Sequence, residues 1–181
     1  KRSDKVRQAY PSDLTDAQWA VIEPLYSGMR TYKWSKRELT NAVLYFVKTG
    51  VSGGTCPHDF PPYSTVHSFY RRARLSGLWE KILRHLVKIS RERAGRKAVP
   101  SYAIIDSQSV KTTGAAKERG IDGEKNERQE AAIVVDTLGN LLAVVVHAAN
   151  IHDTKAGIMP AKQACKRYPS IERFCADAGY R

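Results

Sequence analysis

The hydrophobic pattern changes period at Pro100. Before it, apolar residues recur three and four positions apart, the spacing of helices that bury one face. After it they come in short runs rich in β-branched residues, the signature of strands. A chain written this way is expected to fold as helices first and a sheet afterwards, which is an α+β order.

Within the first half, Thr15-Asp16-Ala17-Gln18 and Ser35-Lys36-Arg37-Glu38 each set a hydroxyl three residues ahead of an amide or carboxylate. That is a capping box, in which side chain and backbone satisfy each other's orphan donors. The first predicts a short helix with Trp19, Val21, Ile22 and Leu25 as its apolar face. The second predicts a helix carrying Leu39, Val43, Phe46 and Val47 and ending at Gly50. Residues 50–62 are rich in glycine and proline and read as loop. A third helix is expected from about Ser64 to Leu75, with Val66, Phe69 and Tyr70 on one side, and Gly77 breaks it. Leu78 to Ala94 reads as a fourth, with a stripe of Leu78, Ile82, Leu86 and Ile89, and Gly95 to Pro100 as a linker.

In the second half, Tyr102 to Asp106 is an apolar run that stops on a carboxylate. Ala132 to Val135 and Leu141 to His147 read as strands joined by a hairpin turn at Asp136–Asn140. Residues 155–167 suit a helix if Pro160 sits in its first turns. Ile171 to Ala176 reads as a strand ending at Asp177. The expected division is a helical domain over 1–98 and a mixed α/β domain over 99–181. The order strand, strand, strand, helix, strand matches the opening of a ribonuclease-H-like fold.

Charge points to a partner. The net charge is +12, and it is unevenly placed: residues 1–100 hold 19 Lys and Arg against 8 Asp and Glu, whereas residues 101–181 hold 11 against 10. A basic front half suits a polyanion, with nucleic acid the first candidate and an anionic membrane the second. No apolar run approaches the roughly 20 residues of a membrane span. Cys56, Cys165 and Cys175 form no CxxC pair, which argues against a disulfide scaffold or a zinc finger and fits a reducing cytosol. The chain opens on Lys1, which reads as an excerpt of a longer product.

Asp106 and Asp177 are expected to end two strands. If those strands are neighbours, the carboxylates converge, and hard oxygen ligands brought together would hold Mg²⁺ for phosphoryl transfer. Aspartates at strand ends also simply start turns, so spacing alone leaves both readings open. His147, His152 and Asp153 lack the geometry and third ligand of a zinc site. Ser107 and Ser109 sit in no G-x-S-x-G elbow, which argues against a hydrolase triad. The Ser64–Leu75 helix resembles the recognition helix of a helix-turn-helix, with Arg71, Arg72 and Arg74 near Tyr63, His67 and Tyr70. Arg91, Arg93, Arg96 and Lys97 form a second basic cluster, read as a phosphate-tracking linker.

The wording around the aspartates narrows the reading. Asp106-Ser107-Gln108-Ser109-Val110-Lys111-Thr112 and Ala176-Asp177-Ala178-Gly179-Tyr180-Arg181 resemble the first two catalytic motifs of bacterial DDE insertion-sequence transposases, specifically the insertion-sequence-five family. Tyr10-Pro11-Ser12-Asp13-Leu14-Thr15-Asp16-Ala17-Gln18-Trp19 resembles that family's opening. Pro57-His58-Asp59-Phe60-Pro61-Pro62 with Ser64-Thr65-Val66 resembles its mid-domain signature. Val135-Asp136-Thr137-Leu138-Gly139 and His147-Ala148-Ala149-Asn150-Ile151-His152-Asp153 resemble its central hairpin.

The resemblance implies a helix-turn-helix-like DNA-binding domain followed by an incomplete ribonuclease-H-like core. It makes Asp106 and Asp177 the first two catalytic, metal-holding carboxylates. It also implies Mg²⁺ (or Mn²⁺) as cofactor and double-stranded DNA as partner, for which the basic residues Arg71, Arg72, Arg74, Arg91, Arg93, Arg96, Lys97 and Lys111 are the candidate contacts. Element ends and target DNA would be the substrates, bound by a homo-oligomer in the bacterial cytoplasm at the nucleoid. The third carboxylate, a glutamate, finds no counterpart before the sequence stops at Arg181, so residues 1–181 alone are expected to be inactive. Residues 124–132, where the surrounding stretch 118–130 holds three basic and five acidic side chains, and residues 51–56 depart from the family pattern. A non-catalytic DNA-binding repressor descended from a transposase is the rival reading. A simple ribonuclease-H-like nuclease is the second rival, and the large basic front argues against it.

Overall fold

A computed structural model describes residues 9–51, 56–111, 120–121, 127–148 and 158–176. The chain forms two compact units, Lys1–Ile82 and Leu83–Arg181, and the division falls inside a helix.

In the first unit both capping boxes form. Thr15 caps α1 (Asp16–Ile22) and exchanges hydrogen bonds with Gln18, and a single 3-10 turn, Glu23–Tyr26, follows with Pro24 in its first turn. Ser35 caps α2 (Lys36–Thr49) and exchanges hydrogen bonds with Glu38. Helix α2 ends where Gly50 turns into the left-handed region, at φ 65°, a conformation cheap only for glycine. α3 spans Tyr63–Leu75 and α4 Leu78–Arg93.

The core of this unit joins Ile22, Tyr26, Leu39, Ala42, Val43, Phe60, Val66, Phe69, Ala73, Leu78 and Ile82. It also takes in polar groups that are paired. The Tyr26 and Thr40 hydroxyls share a hydrogen bond of 2.8 Å, and the Asn41 carboxamide oxygen accepts from the Leu14 amide. Tyr10 stacks on Phe60 with ring centroids 5.0 Å apart, and its hydroxyl donates to the Asp59 carboxylate. The opening segment and the proline-rich loop, distant in sequence, therefore meet through one tyrosine.

Three expected core residues lie outside it. Val47 is 74% exposed: it lies beyond the buried stretch Leu39–Val43 of α2, and at the end of the helix Phe46, not Val47, packs against the cluster. Tyr70 is exposed because Phe69 and Ala73 take the inward positions of α3. Leu86 is exposed because α4 changes its buried face: Leu78 and Ile82 serve the first core, whereas Leu83 and Val87 serve the second.

The second unit is a mixed sheet packed on helices. Its strands are β1 (Tyr102–Lys111), β2 (Gly120–Ile121), β3 (Glu127–Asp136), β4 (Leu141–Ala148) and β5 (Arg173–Ala176); helix α5 spans Ile158–Arg167. β3 lies antiparallel to both β1 and β4, and β1 lies parallel to β5. The short β2, which the sequence pattern does not announce, pairs with the start of β3. Alternation sorts the faces: Ala103, Ile105, Ala132, Val134 and Leu142 turn inward with Val87, Ala164, Tyr168 and Ile171. A register shift at Val134/Val135 lets Leu142 and Ala143, adjacent on β4, both be buried. Pro160 sits in the first turn of α5, where its missing N–H costs nothing.

Candidate functional site

Asp106 was expected to end its strand; it lies in the middle of β1, which continues to Lys111. The polar stretch after Asp106 stays extended because β3 pairs with it as far as Lys111↔Arg128. What the aspartate does mark is the end of the described ladder on the other side, since β5 pairs with β1 from Tyr102↔Arg173 to Ile105↔Ala176. Asp106 is exposed, and alternation sets it on the face opposite the buried Ala103 and Ile105, with Ile133 as its Cα partner across the sheet. In the sequence an aspartate follows each member of the final parallel pair, Asp106 after Ile105 and Asp177 after Ala176. Asp177 lies outside the described residues, as do His152 and Asp153.

Asp106 is one hard oxygen donor facing outward, and it fits a single ligand of a divalent cation. Among the described residues no group of three His, Cys, Asp or Glu side chains could hold a metal by itself. Cys56, Cys165 and Cys175 are free thiols.

The basic residues separate into two sorts. Arg71 and Arg74 are exposed on the last turns of α3, a helix without an acidic residue, and Tyr63, His67 and Tyr70 are exposed on the turns before them. Arg72 is exposed but already engaged, its guanidinium 5.3 Å from the Tyr32 ring centroid and its Nε 3.2 Å from the Tyr32 hydroxyl. Arg93, Arg96 and Lys97 are exposed at and beyond the end of α4. Lys111 is described only as the last residue of β1.

Arg91 corrects the sequence reading. It is 6% exposed, its Nη1 lies 2.6 Å from Asp136 Oδ2, and its Nε donates to the Lys97 carbonyl at 2.8 Å. A guanidinium held inside the unit by a carboxylate and a carbonyl is not a phosphate ligand. It is buried because α4 presents Val87 and Arg91, one turn apart, to the second core, and only a paired charge can be accommodated there.

Asp136, which sequence reasoning placed merely in a turn, is the hub of this corner. Its Oδ1 accepts from the Leu138 and Asn140 amides, and its Oδ2 accepts from the Asn140 side chain at 3.0 Å as well as from Arg91. Burial by itself would raise the carboxyl's pKa. The hydrogen bonds from Asn140, Arg91 and the Leu138 backbone outweigh it and hold the group below the ordinary aspartate value. The turn part of this arrangement was readable, since an aspartate opening a hairpin commonly bonds the amides ahead of it. The arginine partner, 45 residues away, was not.

Among the described residues no helix is long and apolar enough to cross a membrane. Comparison with known families gives two matches, in the order of the two structural units. Residues 14–83 match DUF4096, described as a transposase of the IS4/5 family, and residues 97–181 match the transposase DDE domain. No curated protein matches the chain. A DDE domain implies a ribonuclease-H-like core, and the sheet order agrees with one: β4, β3, β1, β5, with the last two parallel and the others antiparallel. The two matches between them leave out only residues 1–13 and 84–96, and the chain belongs to the DDE transposases of insertion sequences.

Proposed function

We propose that this chain binds the ends of an insertion sequence as double-stranded DNA and acts in Mg²⁺-dependent cleavage and strand transfer, with Asp106 and Asp177 as catalytic carboxylates. The observation that carries this reading is the parallel register of Ile105 on Ala176, each followed in the sequence by an aspartate. One more step along both strands would set two carboxylates side by side. Two such charges repel unless a cation lies between them, so the pair calls for a metal. Mg²⁺, or Mn²⁺ in its place, would supply activation of an attacking oxygen and stabilisation of a leaving one. The chain's own part would be to hold Asp106 on the paired strand β1 and to bring the phosphate to the metal.

DNA contact is assigned to two surfaces. α3 acts as the DNA-facing helix of a helix-turn-helix-like domain, although residues 50–62 between α2 and α3 make a longer connection than the usual 3–4-residue turn. Arg71 and Arg74 would reach phosphates, with Arg72 held nearby on Tyr32. Arg93, Arg96, Lys97 and Lys111 form the second surface. An element has two ends, so the working form is read as a homo-oligomer on DNA, at the nucleoid.

Two measurements on the chain test this. Mn²⁺ binding followed by electron paramagnetic resonance should be lost in Asp106→Asn and in Asp177→Asn, with circular dichroism unchanged. DNA affinity should fall steeply with salt, and the slope should drop by about 0.9 per phosphate contact removed in Arg71→Ala and Arg74→Ala. Metal binding that survives both asparagine variants would remove the catalytic assignment. Salt-dependent DNA binding without any metal binding would favour the non-catalytic repressor.

A further inference from the structure

Arg91 was expected to touch DNA, and its burial gives it a different task. Residues 94–101 join α4 to β1, and three exposed cations lie at and beyond the helix end, Arg93 as its last residue and Arg96 and Lys97 in the joining segment. This segment is folded back on Arg91 at one end. The Arg91 carbonyl accepts from the Ala94 amide at 3.1 Å and the Arg96 amide at 2.9 Å, while the Arg91 side chain donates to the Lys97 carbonyl. Gly95, at φ 68°, makes the reversal. The far end is pinned to the turn before β5: Ser170 Oγ donates to the Pro100 carbonyl at 2.7 Å, and the Glu172 amide donates to the Ser101 carbonyl at 3.0 Å.

The same Arg91 side chain is bonded to Asp136, whose Cα partner on β1 is Ala103, three residues before Asp106. One buried guanidinium thus ties the cation-bearing loop to the sheet that carries the candidate catalytic aspartate.

We propose that Arg91 is a positioning residue: through Asp136 and the Lys97 carbonyl it holds Arg93, Arg96 and Lys97 as a preformed phosphate clamp in fixed register with β1. This rests on the reading that those three cations meet DNA. An ordered clamp binds without first losing the chain entropy of each residue it would otherwise have to fix. Freeing a residue or two at the Lys97 end therefore weakens DNA binding by roughly tenfold to a hundredfold, without removing any phosphate ligand.

The test compares four variants by DNA binding over a salt series. Arg91→Met with Asp136→Leu replaces the buried pair by apolar side chains, a change that buried ion pairs often tolerate without loss of fold. It should lower affinity by about tenfold or more and leave the salt slope unchanged. Arg93→Ala with Arg96→Ala and Lys97→Ala should reduce the slope by roughly two to three units. Amide exchange at Arg96, whose N–H bonds the Arg91 carbonyl, reads the loop's order directly and should quicken in the first variant only.

Wild-type affinity in the Arg91/Asp136 variant, or unchanged exchange at Arg96, would overturn the positioning role. A slope lowered by one unit in Arg91→Met and restored in Arg91→Lys would overturn it too, by making Arg91 a phosphate ligand. An unchanged slope in the triple variant would instead refute the underlying reading of the cluster.

Discussion

Replacing Asp136 with alanine is the most informative single perturbation of the second unit. The carboxylate is buried and accepts four hydrogen bonds, from Arg91, from the Asn140 side chain, and from the Leu138 and Asn140 amides. Leu138 is exposed, so its amide can turn to water at little cost. Arg91 cannot: at 6% exposed it keeps the Lys97 carbonyl but loses its counter-charge. Removing one partner of a buried pair typically costs about 3–5 kcal/mol, and that range is expected here. Asp136→Asn should cost less, about 2–4 kcal/mol, because it keeps an acceptor for the turn amides while presenting Nδ2 to the guanidinium. Trp19, Trp34 and Trp79 all lie in Lys1–Ile82, so fluorescence does not watch this corner. Amide exchange in β3 and β4 does, and it should quicken by roughly two to three and a half orders of magnitude if those amides exchange by opening of the unit.

A cycle with Arg91→Met should recover much of the loss and give a coupling of about 1.5 kcal/mol or more, insensitive to salt. The pH dependence has a definite sign. Asp136 is held below its ordinary value, so its contribution is fully present above the unfolded pKa of about 3.9 and is lost as pH falls through the lower folded value. The wild type should therefore lose stability in acid more steeply than Asp136→Asn. An alanine variant within about 1 kcal/mol of wild type, or a coupling under about 0.5 kcal/mol, would show Asp136 to be a solvated turn residue.

The first unit offers two further checks. Phe69 is fully buried, with its ring edge-on to Tyr32 and Trp79, so Phe69→Ala should cost about 3–5 kcal/mol in urea unfolding followed by tryptophan fluorescence; a cost under 1 kcal/mol would contradict the packing. Ser35→Ala removes the cap of α2 and should cost about 0.5–2 kcal/mol by the same measurement, whereas Ser35→Asp should hold most of it; equal losses in both would mean that the cap is not what the serine contributes.

The sequence determined what is local or periodic. Both capping boxes lie within four residues, and each formed as written, at Thr15–Gln18 and Ser35–Glu38. The stop at Gly50, the place of Pro160 in α5 and the hairpin at Asp136–Asn140 depend on backbone preferences that individual residues carry with them. The transposase family was legible for a different reason: five motifs in the right order are specific even where each alone is weak.

Tertiary structure decided whatever depends on a partner far along the chain. Polarity after Asp106 suggested a strand end, but pairing with β3 carries β1 on to Lys111, because an extended backbone is held by its neighbour's hydrogen bonds and not by its own side chains. Val47 and Leu86 look like core residues by spacing, and only the fold decides that Phe46 and Val87 beside them take the inward positions. Arg91 sits among four cations in the sequence, and only the fold sets Asp136 against it. A side chain's chemistry is fixed by its type, but its charge is usable at a surface or locked inside according to what the fold brings within 3 Å.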